Sequence, residues 1–240
     1  MTMPMKFRRI LLKLSGEALA GSQGFGYDPQ VMSEYAKSVA DAMATGTQIA
    51  LVIGGGNIYR GAEGEAAGKW RVKGDQMGML ATVINGIALA EAFEKERCAA
   101  QVFSAFSTGP VATPYSIEAV EEALTQGRVA ILTAGTGNPF FTTDSAAALR
   151  ASELSCDALL KGTRVDGIYD CDPEKNPDAV KFESLTFAQA YEKRLRIMDL
   201  TAFTLCQENQ IPIIVFNMNR IGALGRLLRG ETLGSIVRNA

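Results

Sequence analysis

TAGTGNPFFTTD, residues 133–144, is the stretch on which the reading of this 240-residue chain turns. An apolar run at 129–132 leads into it, and an alanine-rich helical run at 145–154 leads out. Its two glycines free backbone N–H groups for a close ligand, and a helix beginning near Thr143 aims its positive end at the same spot. An anion fits there. The plainer reading is a strand-to-helix turn capped by Thr or Asp, and the stretch alone leaves both open.

Working outward, the same order of apolar run, special turn and helix recurs. Residues 10–14 (ILLKL) read as a buried strand with Lys13 near its carboxyl end, followed by Ser15 and Gly16. A lysine there either snorkels from an edge or projects into a site above the sheet. A flexible GSQGFG loop, Gly21, Ser22, Gln23, Gly24, Phe25 and Gly26, precedes a helix capped by Asp28 with Pro29 at its first position, running to about Thr45. Residues 49–53 (IALVI) form a second strand that ends in GGGNIYRG, 54–61, and a long helix is expected from Asp75 to about Lys95.

Further strands are expected at 100–105, 129–132, 156–160, 213–216 and 233–237, with helices at 116–126, 186–191 and 198–208. Between 161 and 177 the prolines Pro173 and Pro177 among charged residues read as an exposed loop. The alternation predicts an α/β fold: a three-layer αβα sandwich around a mainly parallel sheet. In such sheets ligands bind beyond the carboxyl ends of the strands. Four special segments fall at such ends: 13–16, 54–57, 135–138 and 161–163. Their shared position is a stronger signal than any one of them.

The composition narrows the chemistry. A net charge of −2 argues against a protein that coats nucleic acid, yet a few local cations suffice for a nucleotide. There is no histidine, which removes Ser-His-Asp and Cys-His machinery and the H-E-x-x-H metalloproteases. Cys98, Cys156, Cys171 and Cys206 are widely spaced, without C-x-x-C, and read as reduced thiols of a cytoplasmic protein. The opening MTMPMKFRRILLKLSGEA is interrupted by Lys13 and too short for a signal peptide, and no run approaches the length of a membrane span. The expectation is a soluble protein without nucleic-acid or membrane partners. The 75–95 helix is apolar around most of its circumference, so it lies either at a subunit interface or under its own domain.

No segment matches the Walker A pattern. A Rossmann fingerprint fails too, because Tyr59 stands where the third glycine belongs, although Asp75 lies at about the spacing of a ribose-binding acid. Phosphoryl transfer suits the inventory better, since it asks mainly for positioning and positive charge. Lys13, Arg60 and Lys161 at strand ends supply cations, and Mg²⁺ would be bound largely through nucleotide phosphates, with no metal site of protein residues alone. A phosphate acceptor is mostly ionised at neutral pH, so no strong general base is needed.

KLSGEAL at 13–19, GGGNIYRG at 54–61, DQMGMLAT at 75–82, GTGNPFFTTD at 135–144 and TRVDGIYDCDP at 163–173 together resemble the bacterial UMP kinases of the amino acid kinase superfamily. The resemblance covers essentially the whole chain, in order, and GTGNPFFTTD is specific to the uridylate branch. It implies one amino acid kinase-like domain over 1–240, its N-terminal part mainly acceptor site and oligomer interface and its C-terminal part mainly ATP site. It also implies the reaction ATP + UMP → ADP + UDP with Mg²⁺, in a homohexamer, within pyrimidine nucleotide biosynthesis.

Carried onto matching positions, the resemblance gives Lys13, Leu14, Ser15 and Gly16 to the ATP phosphates, with Lys13 stabilising the transferring group. Gly56 and Arg60 would also meet ATP phosphates, and Thr163, Tyr169 and Asp172 the adenosine. UMP would be held by Gly55, by Asp75 at its ribose, and by Thr136, Gly137, Asn138, Pro139, Phe140, Phe141, Thr142 and Thr143. Asp144 would orient the catalytic lysine. The family binds GTP as activator and UTP as inhibitor, and the loop at 21–26 resembles part of its GTP-responsive segment. Singly, Asp75 reads equally as an N-cap, Arg60 as a surface ion pair and Tyr169 as a loop anchor. Two other readings stay open: a kinase acting on a carboxylate or carbamate, and a non-catalytic nucleotide sensor.

Overall fold

The computed structural model describes residues 7–59 and 70–240. Continuous apolar sequence makes strands buried on both faces: all six residues of β1 (Arg9–Leu14) are buried, as are five of six in β2 (Gln48–Ile53) and all of β5 (Val129–Thr133). With β3 (Ala100–Ser104), β4 (Thr113–Pro114), β6 (Ala158–Thr163), β9 (Ser184–Thr186), β10 (Ile213–Asn217) and β11 (Ser235–Arg238) they form a nine-stranded sheet. Its order is β4-β3-β5-β2-β1-β6-β10-β11-β9, parallel except where β10 meets β11.

Two cores flank the sheet. Helices α2 (Pro29–Met43), α3 (Arg71–Lys95) and α8 (Ala223–Leu228) pack on the face that carries Ile10, Leu12 and Leu14. Helices α4 (Ile117–Thr125), α5 (Thr143–Glu153), α6 (Phe187–Glu192) and α7 (Leu200–Glu208) pack on the face that carries Leu11, Ala50 and Val52. The expected three-layer sandwich is therefore present.

The period-2 alternation of β-strands then positions the lysines. Leu11 faces the α5 layer, so Lys13 does too; on β6, Leu159 faces that layer and Lys161 follows it. The strands are parallel neighbours with Lys13 in register with Lys161. Two ammonium groups thus stand side by side under one helix.

Local signals fixed most boundaries. Asp28 accepts from the Gln30 N–H with Pro29 in the first turn of α2, and Ser116 accepts from Ala119 N–H at α4. Helix α3 differs: it begins at Arg71, so Asp75 is a second-turn residue and not an N-cap. Gly74 reads as a breaker but is accommodated inside the helix, where it costs roughly 1 kcal/mol relative to alanine. Strand β6 starts at Ala158, two residues later than expected, and runs on to Thr163. The supposed loop after it contains β7 (Ile168–Tyr169), paired antiparallel with β8 (Lys181–Phe182). The short helices α1 (Gly16–Leu19) and α8, with β4 and β9, span too few residues to show a period.

By length and composition α3 could cross a membrane, contrary to the expectation that no run approaches that length. Its inner side packs Leu89 and Phe93 into the core and buries Thr82 and Asn85 in hydrogen bonds, which is the anatomy of a core helix. Its outer side leaves Met77, Leu80, Ile84 and Ile87 exposed.

Candidate active site

The centre is a carboxylate between two lysines. The Thr142 hydroxyl caps α5, accepting from the N–H groups of Asp144 (3.0 Å) and Ser145 (3.1 Å). That cap fixes Asp144 in the first turn, over the sheet. Lys13 Nζ lies 2.8 Å from Asp144 Oδ1 and Lys161 Nζ 2.7 Å from Oδ2. The Lys13 contact is one of charge, without good hydrogen-bond alignment; Lys161 donates to Asp144 and, at 2.7 Å, to the Ile197 carbonyl.

All three groups are largely buried. Burial alone would raise the Asp144 pKa, but the ammonium groups of Lys13 and Lys161 outweigh it and hold the carboxyl below its ordinary value. Burial pushes Lys161 below the ordinary lysine value against the pull of Asp144, and the like charge of Lys13 adds to the fall. Two cations and one anion leave one net positive charge, suited to a phosphate group.

One cleft opens on the α3 side, about 120 Å³ in volume, with Gly55, Gly56, Asp75, Thr136, Asn138, Phe141, Thr142 and Thr143 along its walls. The loop after β5 holds two non-glycine residues in the left-handed region, Ala134 (φ 63°) and Phe140 (φ 72°). Such backbone persists only where its surroundings over-determine it. Here the Ala134 N–H donates to Thr82 Oγ1 (2.7 Å) and the Phe140 N–H to Asp75 Oδ2 (2.7 Å). Asp75 also accepts from Arg71 Nε at 2.9 and 3.0 Å, and the Arg71 guanidinium lies 5.7 Å from the Phe140 ring centre. These contacts draw the walls together, which explains a volume below the roughly 300–1,000 Å³ usual for ligand pockets. Gly137, Pro139 and Phe140 belong to the same loop but do not line the cleft.

A second cleft, about 650 Å³, opens beside the β7–β8 hairpin, lined by Lys161, Thr163, Tyr169, Asp172, Arg194 and Arg196 among others. The Tyr169 hydroxyl donates to Asp166, which Lys181 (3.3 Å) and Arg220 (3.6 Å) flank. Asp172 accepts from the Glu174 N–H at 3.0 Å and meets Lys175 Nζ at 3.4 Å. Asp144 stands between the clefts: its neighbour Thr143 lines the first and its partner Lys161 the second.

The loops after β1 and β2 touch. A Cβ on Gly16 would lie 2.4 Å from the Gly54 oxygen, and one on Gly55 would lie 2.7 Å from the Gly78 oxygen, so only glycine permits these approaches. The Leu14 side chain is in the core and its carbonyl accepts from the Gly54 N–H, so Leu14 offers a ligand no side chain and marks only the end of β1. Ser15 precedes α1 as its N-cap. Residues 21–26 form a 3₁₀ turn and bend outside both clefts, with Phe25 exposed. Arg60 lies outside the described residues.

Sequence reading passed over Tyr59, Arg71 and Thr82 at the first cleft and Arg194 and Arg196 at the second. It also passed over Asp199. That carboxylate caps α7 through the Ala202 N–H (3.0 Å), accepts from Ser145 Oγ (2.9 Å) and is bonded by the Thr142 hydroxyl, tying α7 to the start of α5. The MDLTAF run at 198–203, an acid before an apolar helix, carried its cap signature. All four cysteines are free thiols, and burial pushes Cys156 and Cys206 up to about 12.

The pattern of the amino acid kinase family matches residues 8–217. The chain is 52% identical over 233 residues to a uridylate kinase of Porphyromonas gingivalis, covering 97% of this chain and 98% of that protein. Among solved structures it resembles a UMP kinase from Bacillus anthracis, with TM-score 0.94 and 31% identity over 98% of this chain and 97% of that one. A UMP kinase from Ureaplasma parvum gives TM-score 0.90 and 36% identity over 98% of this chain and all of that one.

Proposed function

The chain is an enzyme that belongs to the amino acid kinase family, among its uridylate kinases, and on that premise we propose that it transfers the γ-phosphoryl group of ATP to UMP, giving ADP and UDP. The observation that carries the reading is the Lys13–Asp144–Lys161 centre between two clefts. A UMP phosphate oxygen attacks the γ-phosphorus as the bond to the ADP oxygen breaks. No proton has to be removed from an ionised phosphate, which suits a chain without histidine. Lys13 and Lys161 would stabilise the charge on the oxygens of the moving group, and Asp144 would keep both ammonium groups aimed.

UMP fits the α3 cleft. Asp75 can accept from both ribose hydroxyls once it releases Arg71, while Gly55, Thr136, Asn138, Phe141, Thr142 and Thr143 would enclose the base and phosphate, and Gly137, Pro139 and Phe140 would shape the loop behind them. ATP fits the hairpin cleft, with Thr163, Tyr169 and Asp172 toward adenosine and Lys13, Ser15, Gly16 and Gly56 toward the phosphates; the same role is proposed for Arg60 from its sequence position alone. Mg²⁺ would accompany the triphosphate, screening its charge. The exposed Met77, Leu80, Ile84 and Ile87 support assembly of copies through α3, toward a homohexamer. Activation by GTP, through 21–26, and inhibition by UTP complete the reading, for an enzyme of the cytoplasm whose four thiols stay reduced.

The test is ADP release from Mg-ATP with a panel of nucleoside monophosphates and amino acids, with and without GTP and UTP. UMP is expected to be the preferred acceptor. Preference for glutamate or aspartate would replace the reading with a carboxylate kinase, and binding of UMP and ATP without turnover would replace it with a sensor.

A further inference from the structure

Behind the substrate-facing glycines lies a polar device that the proposed chemistry does not use. Asn57, which ends the glycine run 54–56, is 2% exposed, and Asn85, in the middle of α3, is 0% exposed. Their side-chain amides pair reciprocally: Asn85 Nδ2 donates to Asn57 Oδ1 at 2.7 Å and Asn57 Nδ2 to Asn85 Oδ1 at 3.0 Å. Each second N–H is also engaged. That of Asn85 reaches the Gly54 carbonyl at 2.8 Å, and that of Asn57 reaches the Gly26 carbonyl at 2.6 Å. An amide has two donor hydrogens and an acceptor oxygen, and here both donors and the oxygen of each asparagine are engaged. Aspartate lacks the donors, and leucine in place of either asparagine would strand three polar partners in a buried site.

The pair touches three segments at once. The Gly26 N–H donates back to the Asn57 carbonyl at 2.9 Å, so residue 26 is bonded to residue 57 through both its polar groups. The Gly54 N–H donates to the Leu14 carbonyl at 3.0 Å, and a Cβ on Gly16 would lie 2.7 Å from Asn57 Oδ1. One turn earlier on α3, Thr82 holds Ala134 at the start of the loop that walls the first cleft.

We propose that Asn57 and Asn85 are positioning residues for phosphoryl transfer: an amide clasp that sets the 54–56 backbone against Gly16 and makes its setting depend on the 21–26 segment. The proposal rests on the reading of 54–56 as a substrate loop. Neither asparagine touches substrate; both act through the glycines.

The experiment is a double-mutant cycle between Gly26→Ala and Asn85→Asp, two sites that Asn57 bridges. Gly26 has φ +70° and open space where a Cβ would point, so alanine there strains the backbone without a clash. At saturating UMP and Mg-ATP, Asn85→Asp should lower kcat by about 10- to 100-fold while both KM values stay within about threefold. Gly26→Ala should lower kcat several-fold alone, but by less than about twofold in the Asn85→Asp background, where the clasp is already broken. Hydrogen exchange of the 54–56 amides should quicken in each single variant. Effects that multiply, or a folded Asn85→Asp enzyme with normal kcat, would overturn the proposal. If thermal melting shows Asn85→Asp unfolded, Asn85→Ser takes its place in the cycle. Wild-type protein without UMP-dependent ADP release, but with faster exchange at 54–56 in Gly26→Ala, would sink the functional reading and leave the clasp. Normal wild-type turnover with unchanged exchange would sink the clasp alone.

Discussion

The two clefts on either side of Asp144 are built in opposite ways. The α3 cleft is small, and its loop is pinned by a threonine and an aspartate from one long helix, including two residues in left-handed backbone. The hairpin cleft is several times larger, and its walls are held by ion pairs and turns local to the hairpin. Pinned backbone discriminates, because a ligand that fails to replace its hydrogen bonds leaves buried polar groups unpaired. On the proposed function, acceptor choice would lie on the α3 side and a looser nucleotide grip on the hairpin side.

The largest effect tests what the clefts share. Lys13→Ala should lower kcat by about 10³-fold or more if the ammonium stabilises transition-state charge; near-normal turnover in steady-state assays would remove it from the chemistry. Next comes Asp75→Asn, which keeps size but weakens acceptance from a diol. It should raise the UMP KM by about tenfold and leave the ATP KM alone; an unchanged UMP KM would take Asp75 off the ribose. On the hairpin side, Tyr169→Ala should raise the ATP KM only by about three- to tenfold, with the UMP KM unchanged. A larger shift for UMP than for ATP would reverse the assignment of the clefts.

The smallest effect is a pH limb. Lys161 has its folded-state pKa pushed below the ordinary 10.5, so its proton leaves at lower pH in the folded enzyme than in the unfolded chain. Between those two values the unfolded state binds more protons, and stability should rise with pH across that window. Activity should move the other way, with kcat falling on the alkaline side below 10.5 as the ammonium charge is lost. Lys161→Arg should carry that limb to higher pH in a kcat profile; an unmoved limb would assign it to another group.

Much of this was legible beforehand because it rests on period and spacing. The alternation in ILLKL put Lys13 on one face, and TAGTGNPFFTTD showed both the turn and the capped helix that holds Asp144. Helix α3 starts earlier than the expected Asp75 because nothing local marks the true start: Trp70 at its N-cap makes no side-chain cap bond, so the Arg71–Asp75 pair does not show in the sequence. Thr82 and Asn85 were illegible for another reason: their partners lie 52 and 28 residues away, so only folding brings them together. Asp199 shows its cap locally in the sequence, but not its bond to Ser145, 54 residues away. The hairpin hid among prolines and charges because its strands have two residues each.

Lys13 and Lys161 should act as one unit through the carboxylate they share. A double-mutant cycle on kcat for UMP-dependent ADP release, with Lys13→Ala, Lys161→Ala and both together, tests it directly. The double variant should fall little further than the worse single one, as for groups that work only in combination. Losses that multiply would mean two independent cations and would contradict it.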